Sequence, residues 1–248
     1  MSFRRPPLVL VALPSTIYPM TCDGVTAWVT ETLQFRKVSY ERLFDQYIEA
    51  LRVAEGTAAA LTERLRKVGF GYAGMVSVDM RILDQRRFDV SLAAETLMLP
   101  LDAFLTSLRF ALTGDETCTD DGPELRNGVT VDRAVDAVGN YVRHRDGWFA
   151  HDFADTWPSK RQMRSVQPLA QLRSSTPLHC PKDAYIEFTS IPLVAAYVLD
   201  LLGDYENLGP GMSWRIVESR IYAAALKSID KRFTPPENST GNTATEAK

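Results

Sequence analysis

The fold of this chain is decided by the stretch SYERLFDQYIEALRVAEGTAAALTERLRKV, residues 39–68. Its apolar side chains recur at intervals of three and four residues, which places them along one face of an α-helix. They are Tyr40, Leu43, Phe44, Tyr47, Ile48, Leu51, Ala54, Ala58, Leu61, Leu65 and Val68. Gly69 and Gly71 end the pattern, and Gly56 inside it leaves open whether one helix or two cover the stretch. The pattern predicts a helical protein.

Shorter helical patterns flank this stretch on both sides. They cover residues 21–33, 91–112, 131–142, 191–202 and 214–229. Residues 74–90 are ambiguous, because 75–80 alternate between apolar and polar in the manner of a strand. The segments 113–127 and 158–183 are rich in turn-forming residues and predict long irregular connections. Since nothing alternates in βαβ fashion, we expect an all-α or mostly α bundle of about five to seven helices.

Length and composition favour one domain with a substantial core. The chain has 248 residues, of which 45% are hydrophobic. We expect a single mostly helical domain over residues 1–234. Residues 235–248 contain Asn, Ser, Thr and Gly without hydrophobic anchors, and the composition predicts a disordered tail.

Charge and cysteine usage limit the classes of function. The net charge of −3 argues against broad electrostatic binding to nucleic acid. Cys22, Cys118 and Cys180 are widely spaced and form no CxxC pair, which favours a reducing cytoplasm over a disulfide framework or a zinc cage. The apolar run 8–13 is too short to span a membrane, so we expect no membrane association. Neither a Walker A loop nor a Rossmann glycine pattern is present, and we expect no cofactor.

Chemistry-bearing residues concentrate in NYVRHRDGWFAHD, residues 140–152. The segment holds two of the three histidines, two arginines and two acids. If one helix ran from Val131 through His151, then Asn140, His144 and His151 would share a face. The candidate site residues are Arg145, His151, His144 and Asn140. The seven-residue interval between the histidines lacks the tighter HxxxH spacing of a zinc site, so we expect no bound metal.

Two interpretations of this segment remain open. In the first, an arginine binds a phosphate and a histidine moves a proton, as in metal-independent cleavage of RNA by the ribose 2′-hydroxyl. In the second, Arg145 is buried on the apolar face of the helix with Asp152 as its partner, and the histidines only solvate the helix end. The chain would then be a non-catalytic helical interaction or scaffold protein.

The run RDGWFAH, residues 145–151, resembles the loose Arg-x(4–6)-His motif of the HEPN superfamily, which consists of all-helical prokaryotic proteins. In active members a polar residue, often Asn, follows the arginine; here Asp146 stands at that position. The resemblance implies a metal-independent ribonuclease of a defence or toxin system, acting on RNA as a homodimer with a shared cleft. It also implies roles. Arg145 would stabilise charge on the phosphate and His151 would act as general acid or base, while His144 and Asn140 would orient the substrate or the histidine.

Overall fold

The computed structural model describes residues 21–68, 73–114, 122–149, 160–174, 176, 178, 181–189, 191 and 193–234. Within these residues the chain forms eight α-helices, one short 3₁₀ turn and one β-hairpin, which confirms the mostly α prediction with a helix count just above the expected range. The helices are α1 (Cys22–Val68), α2 (Ala73–Thr113), α3 (Val131–Phe149), α4 (Lys160–Arg173), α5 (Pro181–Thr189), α6 (Val194–Gly203), α7 (Tyr205–Leu208) and α8 (Trp214–Phe233). The expected tail 235–248 lies outside the described residues.

Helix α1 is one continuous helix of 47 residues. The helical stretch expected over 21–33 is therefore its first part and not a separate helix, and the question left open at Gly56 is answered by a single helix. The buried positions Val25, Val29 and Leu33 stay in phase with Tyr40 and the positions that follow it. Burial of one unbroken apolar face outweighs the cost of about 1 kcal/mol for a glycine in a helix interior.

Helix α2 begins at Ala73, so residues 75–80 are helical and the strand-like alternation there was misleading. Six alternating residues are too few to compete with a helical pattern that continues for another thirty or so. Pro100 lies inside this helix and lacks the backbone N–H of other residues, but the helix continues through it. The Pro100 carbonyl accepts a 3.5 Å hydrogen bond from the Tyr40 hydroxyl, which connects α2 to α1.

The core lies where α2 meets α1, α3, α6 and α8. The side chains of Leu97, Leu101 and Phe104 on α2 are fully buried there. Trp214 at the start of α8 packs against Tyr40 with their ring centroids 5.4 Å apart. Each large apolar side chain buried in this way contributes about 1.5–3 kcal/mol, so this core fixes the relative positions of the helices.

The segment 158–183 is not irregular, because α4 and α5 occupy most of it. Its proline and serine content suggested turns, yet Val166, Leu169 and Leu172 are buried at helical spacing. Tertiary burial therefore overrides the local preference, even with Pro168 inside α4. Among the described helices, none alone is long and apolar enough to cross a membrane, and the bent pair Lys182–Thr189 and Val194–Gly203 meets that criterion only jointly.

The connection between α2 and α3 contains a β-hairpin that the sequence pattern did not reveal. Strand β1 (Glu124–Arg126) pairs antiparallel with β2 (Val129–Thr130). Asn127 and Gly128 form the two-residue turn with φ angles of 52° and 75°, the left-handed conformation that Asn-Gly turns favour. The Asn127 side chain donates hydrogen bonds to the Gln171 and Leu172 carbonyls, at 3.2 and 3.0 Å. The hairpin therefore caps the C-terminal end of α4.

We predict that Asn127→Asp lowers the free energy of unfolding by about 1–3 kcal/mol. Aspartate tolerates the left-handed backbone, but its carboxylate cannot donate to the carbonyls at the end of α4. Urea denaturation followed by circular dichroism measures the change. Asn127→Gly is the control, because it keeps the backbone conformation, removes the donors and adds no charge, and it should cost less. Equal stability of Asn127→Asp and wild type would contradict the assigned cap.

Candidate functional site

Helix α3 carries the candidate site as far as Phe149, so Gly147 does not interrupt the helix. Asn140 is half-buried, and His144 lies one turn further along the same face and is exposed. The backbone of Arg145 belongs to α3, whereas its side chain lies outside the described part of the structure. His151 also lies outside the described residues. The shared face of Asn140 and His144 is therefore confirmed, and the placement of Arg145 relative to His151 stays a prediction.

Six polar side chains on α2 and on the part of α3 that precedes Arg145 form a closed set of contacts between the two helices. We call this set the polar ring. It consists of Asp102, Thr106 and Arg109 on α2 and of Asp136, Asn140 and Arg143 on α3. Both triplets follow the same i, i+4, i+7 spacing, which keeps each on one face of its helix. The ring therefore joins matching faces of two antiparallel helices.

The α2 side of the ring begins at Asp102. Thr106 Oγ1 donates to Asp102 Oδ1 at 3.4 Å. Arg109 Nη2 then donates to Thr106 Oγ1 and to Asp136 Oδ1, both at 2.9 Å. The hydrogen bond from Arg109 to Asp136 connects α2 to α3.

The contacts on α3 lead back to Asp102 and close the ring. Asn140 Nδ2 donates to Asp136 Oδ2 at 3.1 Å, and Arg143 Nη2 donates to Asn140 Oδ1 at 3.2 Å. Arg143 Nη1 lies 2.6 Å from Asp102 Oδ2, and this ion pair closes the ring. The Asn140 amide is thus engaged at both its oxygen and its nitrogen, between a carboxylate and a guanidinium.

The ring is largely dehydrated and contains two acids and two arginines. Asp102 is 0% exposed and Arg109 is 4% exposed, whereas the Arg143 side chain is 37% exposed. Burial raises the pKa of Asp102 to about 6; Arg143 and Arg109 oppose the shift, and Asp136 adds to it. Burial also raises the pKa of Asp136 against the pull of the same two arginines. For both carboxylates, the effect of desolvation on the pKa therefore exceeds the opposing effect of the ion pairs with the arginines.

Gly139 allows the close approach on which the ring depends. A Cβ atom at this position would lie 2.3 Å from Oδ2 of Asp102 and 2.8 Å from its Cβ. These distances are well inside van der Waals contact, so any other residue would push α2 and α3 apart or displace the carboxylate. Glycine at 139 is thus a requirement of the Asp102–Arg143 pair.

We predict that Gly139→Ala lowers the free energy of unfolding by about 1–3 kcal/mol, because the added methyl group overlaps the Asp102 carboxylate. This loss opposes a helix propensity that favours alanine by about 1 kcal/mol. Gly56→Ala is the matched control, since Gly56 is exposed within α1 and has nothing within 4 Å of its Cβ position. The control should raise stability by about 0.5–1 kcal/mol. Urea unfolding measures the change in free energy for both variants. A Gly139→Ala variant that is more stable than wild type would contradict the close approach of the Asp102 carboxylate to the α3 backbone.

We predict a pH-dependent difference in stability between wild type and Asp102→Asn. The native pKa of Asp102, about 6, exceeds the ordinary value of 3.8. The native state therefore binds this proton more tightly than the unfolded state does. The resulting contribution to the free energy of unfolding is present at low pH and is lost as the pH rises through about 6. Between pH 4 and pH 8 the wild type should lose stability relative to Asp102→Asn. Denaturation at several pH values tests this, and a constant difference would contradict it.

Four of the six ring residues were not singled out from the sequence: Asp102, Thr106, Arg109 and Asp136. A signal was present, because Asp102, Thr106 and Arg109 recur at helical spacing in the largely apolar second half of α2, residues 97–112. Such residues on a buried helix face need partners, and a matching polar face on α3 was available. What the sequence did not contain was the register that brings the two faces together.

A second polar contact lies between α1 and α6. The Tyr47 hydroxyl donates to Asp200 Oδ1 at 2.5 Å and lies 3.4 Å from the Ala196 carbonyl. Burial raises the pKa of Asp200 to about 6 and raises that of Tyr47 as well. This contact satisfies a buried phenol inside the core, and nothing about it points to a ligand.

The arrangement on α3 offers anion binding and proton transfer near one helix end. Arg143 keeps 37% of its side chain exposed to solvent, and the exposed His144 follows it directly. Within the described residues, no group of three or more His, Cys, Asp or Glu side chains is placed to hold a metal ion. Comparison of the chain with family models, with curated proteins and with solved structures gives no match.

Proposed function

We propose that this chain is a HEPN-like ribonuclease that cleaves RNA without a metal ion, as a cytoplasmic homodimer in a prokaryotic defence or toxin system. The observation that carries the proposal is the way in which the polar ring holds α3. The ring fixes α3 on α2 at Asn140 and Arg143, and the helix then continues to Phe149. The segment that resembles the HEPN motif therefore begins on a helix that is already held rigidly.

The proposed reaction is cleavage of an RNA phosphodiester by the 2′-hydroxyl of the adjacent ribose. The 2′-hydroxyl attacks phosphorus, its proton passes to a base, and the 5′-oxygen leaves with a proton from an acid. In this proposal His151 serves as general acid or base, and Arg145 stabilises the charge that develops on the phosphate oxygens. His144 lies on the exposed face of α3, where it can orient the substrate or His151.

Asn140 has a more indirect part in this scheme. Its amide bonds to Asp136 and Arg143 leave it engaged within the polar ring. It therefore acts through Arg143 as a positioning residue, and Arg143 offers its exposed edge to the RNA backbone.

A second candidate function is that of a non-catalytic helical interaction protein. The specific observation in its favour is that Asn140 and Arg143 already make their contacts inside the protomer, as residues of a purely structural network would. Under this hypothesis Arg145 also supports the fold, and its replacement lowers stability with no activity to lose.

We predict that purified protein cuts a mixed RNA pool in excess EDTA and that His151→Ala lowers the cleavage rate by about 10²–10⁴-fold, the usual effect of a general acid or base. The matched control is His179→Ala, which removes the one histidine outside the motif and should leave the rate unchanged. Denaturing gel electrophoresis with end-labelled RNA measures the rate.

The same preparations separate the two candidate functions. Arg145→Ala should abolish cleavage with an unchanged unfolding midpoint if the chain is a nuclease. A folded wild type that leaves RNA intact, together with a destabilised Arg145→Ala, would refute the nuclease and support the interaction protein. Circular dichroism of every variant establishes that it is folded.

A further inference from the structure

Helix α2 presents an uncharged, largely apolar strip on its outward side. Phe88 and Phe110 at the two ends of the strip are each 53% exposed, and Leu92 is 51% exposed. From residue 90 to residue 113, every charged side chain of α2 is buried. We call the following set the outer face of α2: Phe88, Leu92, Thr96, Leu99, Ala103 and Phe110.

The outer face of α2 is long and narrow. At 100° per residue its six residues fall within an arc of about 80°, and they span about 33 Å along the helix axis. Single exposed apolar residues are common on proteins, but an uncharged strip of this length marks a contact surface. Its shape suits an extended segment of polypeptide laid along the helix.

Two contacts show that α1 and α2 run antiparallel. Near the start of α1, Trp28 stacks on Phe104 of the second half of α2, with their ring centroids 5.9 Å apart. Near the end of α1, Arg64 forms a 3.0 Å ion pair with Asp79 of the first part of α2. The start of α1 therefore lies beside the C-terminal half of α2.

The segment that precedes α1 joins it at one end of the outer face. Cys22, the first residue of α1, lies six residues before Trp28, and Phe110 lies six residues after Phe104. Because the helices are antiparallel, both intervals lead about 9 Å in the same direction. Cys22 and Phe110 are thus at the same level along the axis, and residues 1–20 join the helical body beside Phe110.

The composition of this segment matches the outer face. Residues 6–22 contain no charged side chain, and their apolar residues include the run 8–13 together with Ile17 and Met20. Prolines at positions 6, 7, 14 and 19 favour an extended polyproline conformation and lack backbone N–H groups. Such a segment loses few hydrogen bonds with water when it is laid on an apolar surface.

The length also matches. An extended segment rises about 3.1 Å per residue, so about eleven residues span the roughly 33 Å of the outer face. Counted back from Cys22, these are residues 11–21, and all of them are uncharged. Ile17 would then reach the level of Leu99, and Leu13 the level of Leu92.

Other parts of the chain outside the described residues are less suited to the outer face. The stretch 115–121, which follows the end of α2, contains four acidic residues. The tail 235–248 contains only proline and alanine as apolar residues, together with charged and polar ones. Neither offers large apolar side chains to an uncharged strip.

We propose that the outer face of α2 is the docking surface for residues 11–21 of the same chain, which lie along it in an extended conformation and run parallel to α2. The segment enters near Phe88, covers Leu92 and Leu99, and passes Phe110 before the chain turns into α1. This intramolecular contact is independent of the proposed cleavage of RNA, and its test involves no RNA.

Helix α1 supplies a control surface. Val38 is 76% exposed there, more than any residue of the outer face, and residues 1–20 are long enough to reach it. Charged residues lie near it, since Lys37 precedes it directly and the exposed Arg42 follows four residues later. Val38 is thus an exposed apolar residue among charges, whereas the outer face of α2 is continuous.

The test is site-specific photocross-linking in the full chain. Leu92→p-benzoylphenylalanine places a photoreactive group on the outer face, and Val38→p-benzoylphenylalanine places it on α1. After irradiation, the Leu92 variant should give a cross-linked product that migrates as a monomer on a denaturing gel. Peptide mass spectrometry should locate the attachment within residues 11–21, and the Val38 variant should give no attachment there.

A pair of charged substitutions in the segment provides a second measurement. Leu13→Asp with Ile17→Asp, added to the Leu92 variant, should lower the cross-linking yield at least about tenfold, because a docked carboxylate would be buried without a partner. Phe3→Asp is the matched control, since residue 3 lies beyond the length that the outer face accommodates. It should leave the yield unchanged, and circular dichroism should show native helix content for every variant.

Four outcomes would overturn the inference. The first is a Leu92 variant that gives no attachment to residues 11–21. The second is attachment to another part of the chain, or a product of twice the mass, which would show that a different segment or a second copy covers the outer face. The third is equal attachment from Val38, and the fourth is a yield that the two aspartates leave unchanged.

Discussion

The structure depends most on the placement of two carboxylates and two guanidinium groups between α2 and α3. Each would be costly to bury alone, and the ion pairs Arg109–Asp136 and Arg143–Asp102 offset part of that cost. Asp102 is the extreme case, fully buried with its carboxylate against the backbone of α3 at Gly139. The ring favours one register of the two helices, since a shift by one turn would separate both ion pairs between them, Arg109–Asp136 and Arg143–Asp102. Apolar packing alone would be far more tolerant of such a shift.

The polar ring also determines how the charges in the central part of α2 are used. Beyond the ring, α3 continues from Arg143 to Phe149, while Phe88, Leu92 and Phe110 of α2 stay exposed. Two of the three charged side chains in the central part of α2, Asp102 and Arg109, pair with residues of α3, whereas Glu95 accepts a hydrogen bond from Ser91 of α2 itself.

The helical class was predictable because the apolar pattern of residues 39–68 repeats over many turns. Helix ends were less predictable, since α1 begins well before that pattern. Helices α4 and α5 were not predicted, because the proline and serine content of the segment indicated turns, a local preference that tertiary burial overrides. For the site, the common face of Asn140 and His144 followed from helical geometry and is confirmed by α3. The ring itself was not predictable, because Arg109 and Asp136 are 27 residues apart and meet only through the packing of two helices. Where Arg145 and His151 stand relative to each other stays a prediction from sequence.

The contacts of α1 have a consequence for the order in which the molecule can be assembled. Its apolar face is covered by residues that lie much later in the chain: Tyr40 packs on Trp214, and Tyr47 bonds to Asp200, which is 153 residues away. During synthesis the long α1–α2 hairpin must therefore leave the ribosome with part of its hydrophobic surface uncovered until α6 and α8 follow. In that interval this surface is open to aggregation, and α1 reaches its final burial only when α8 packs against it.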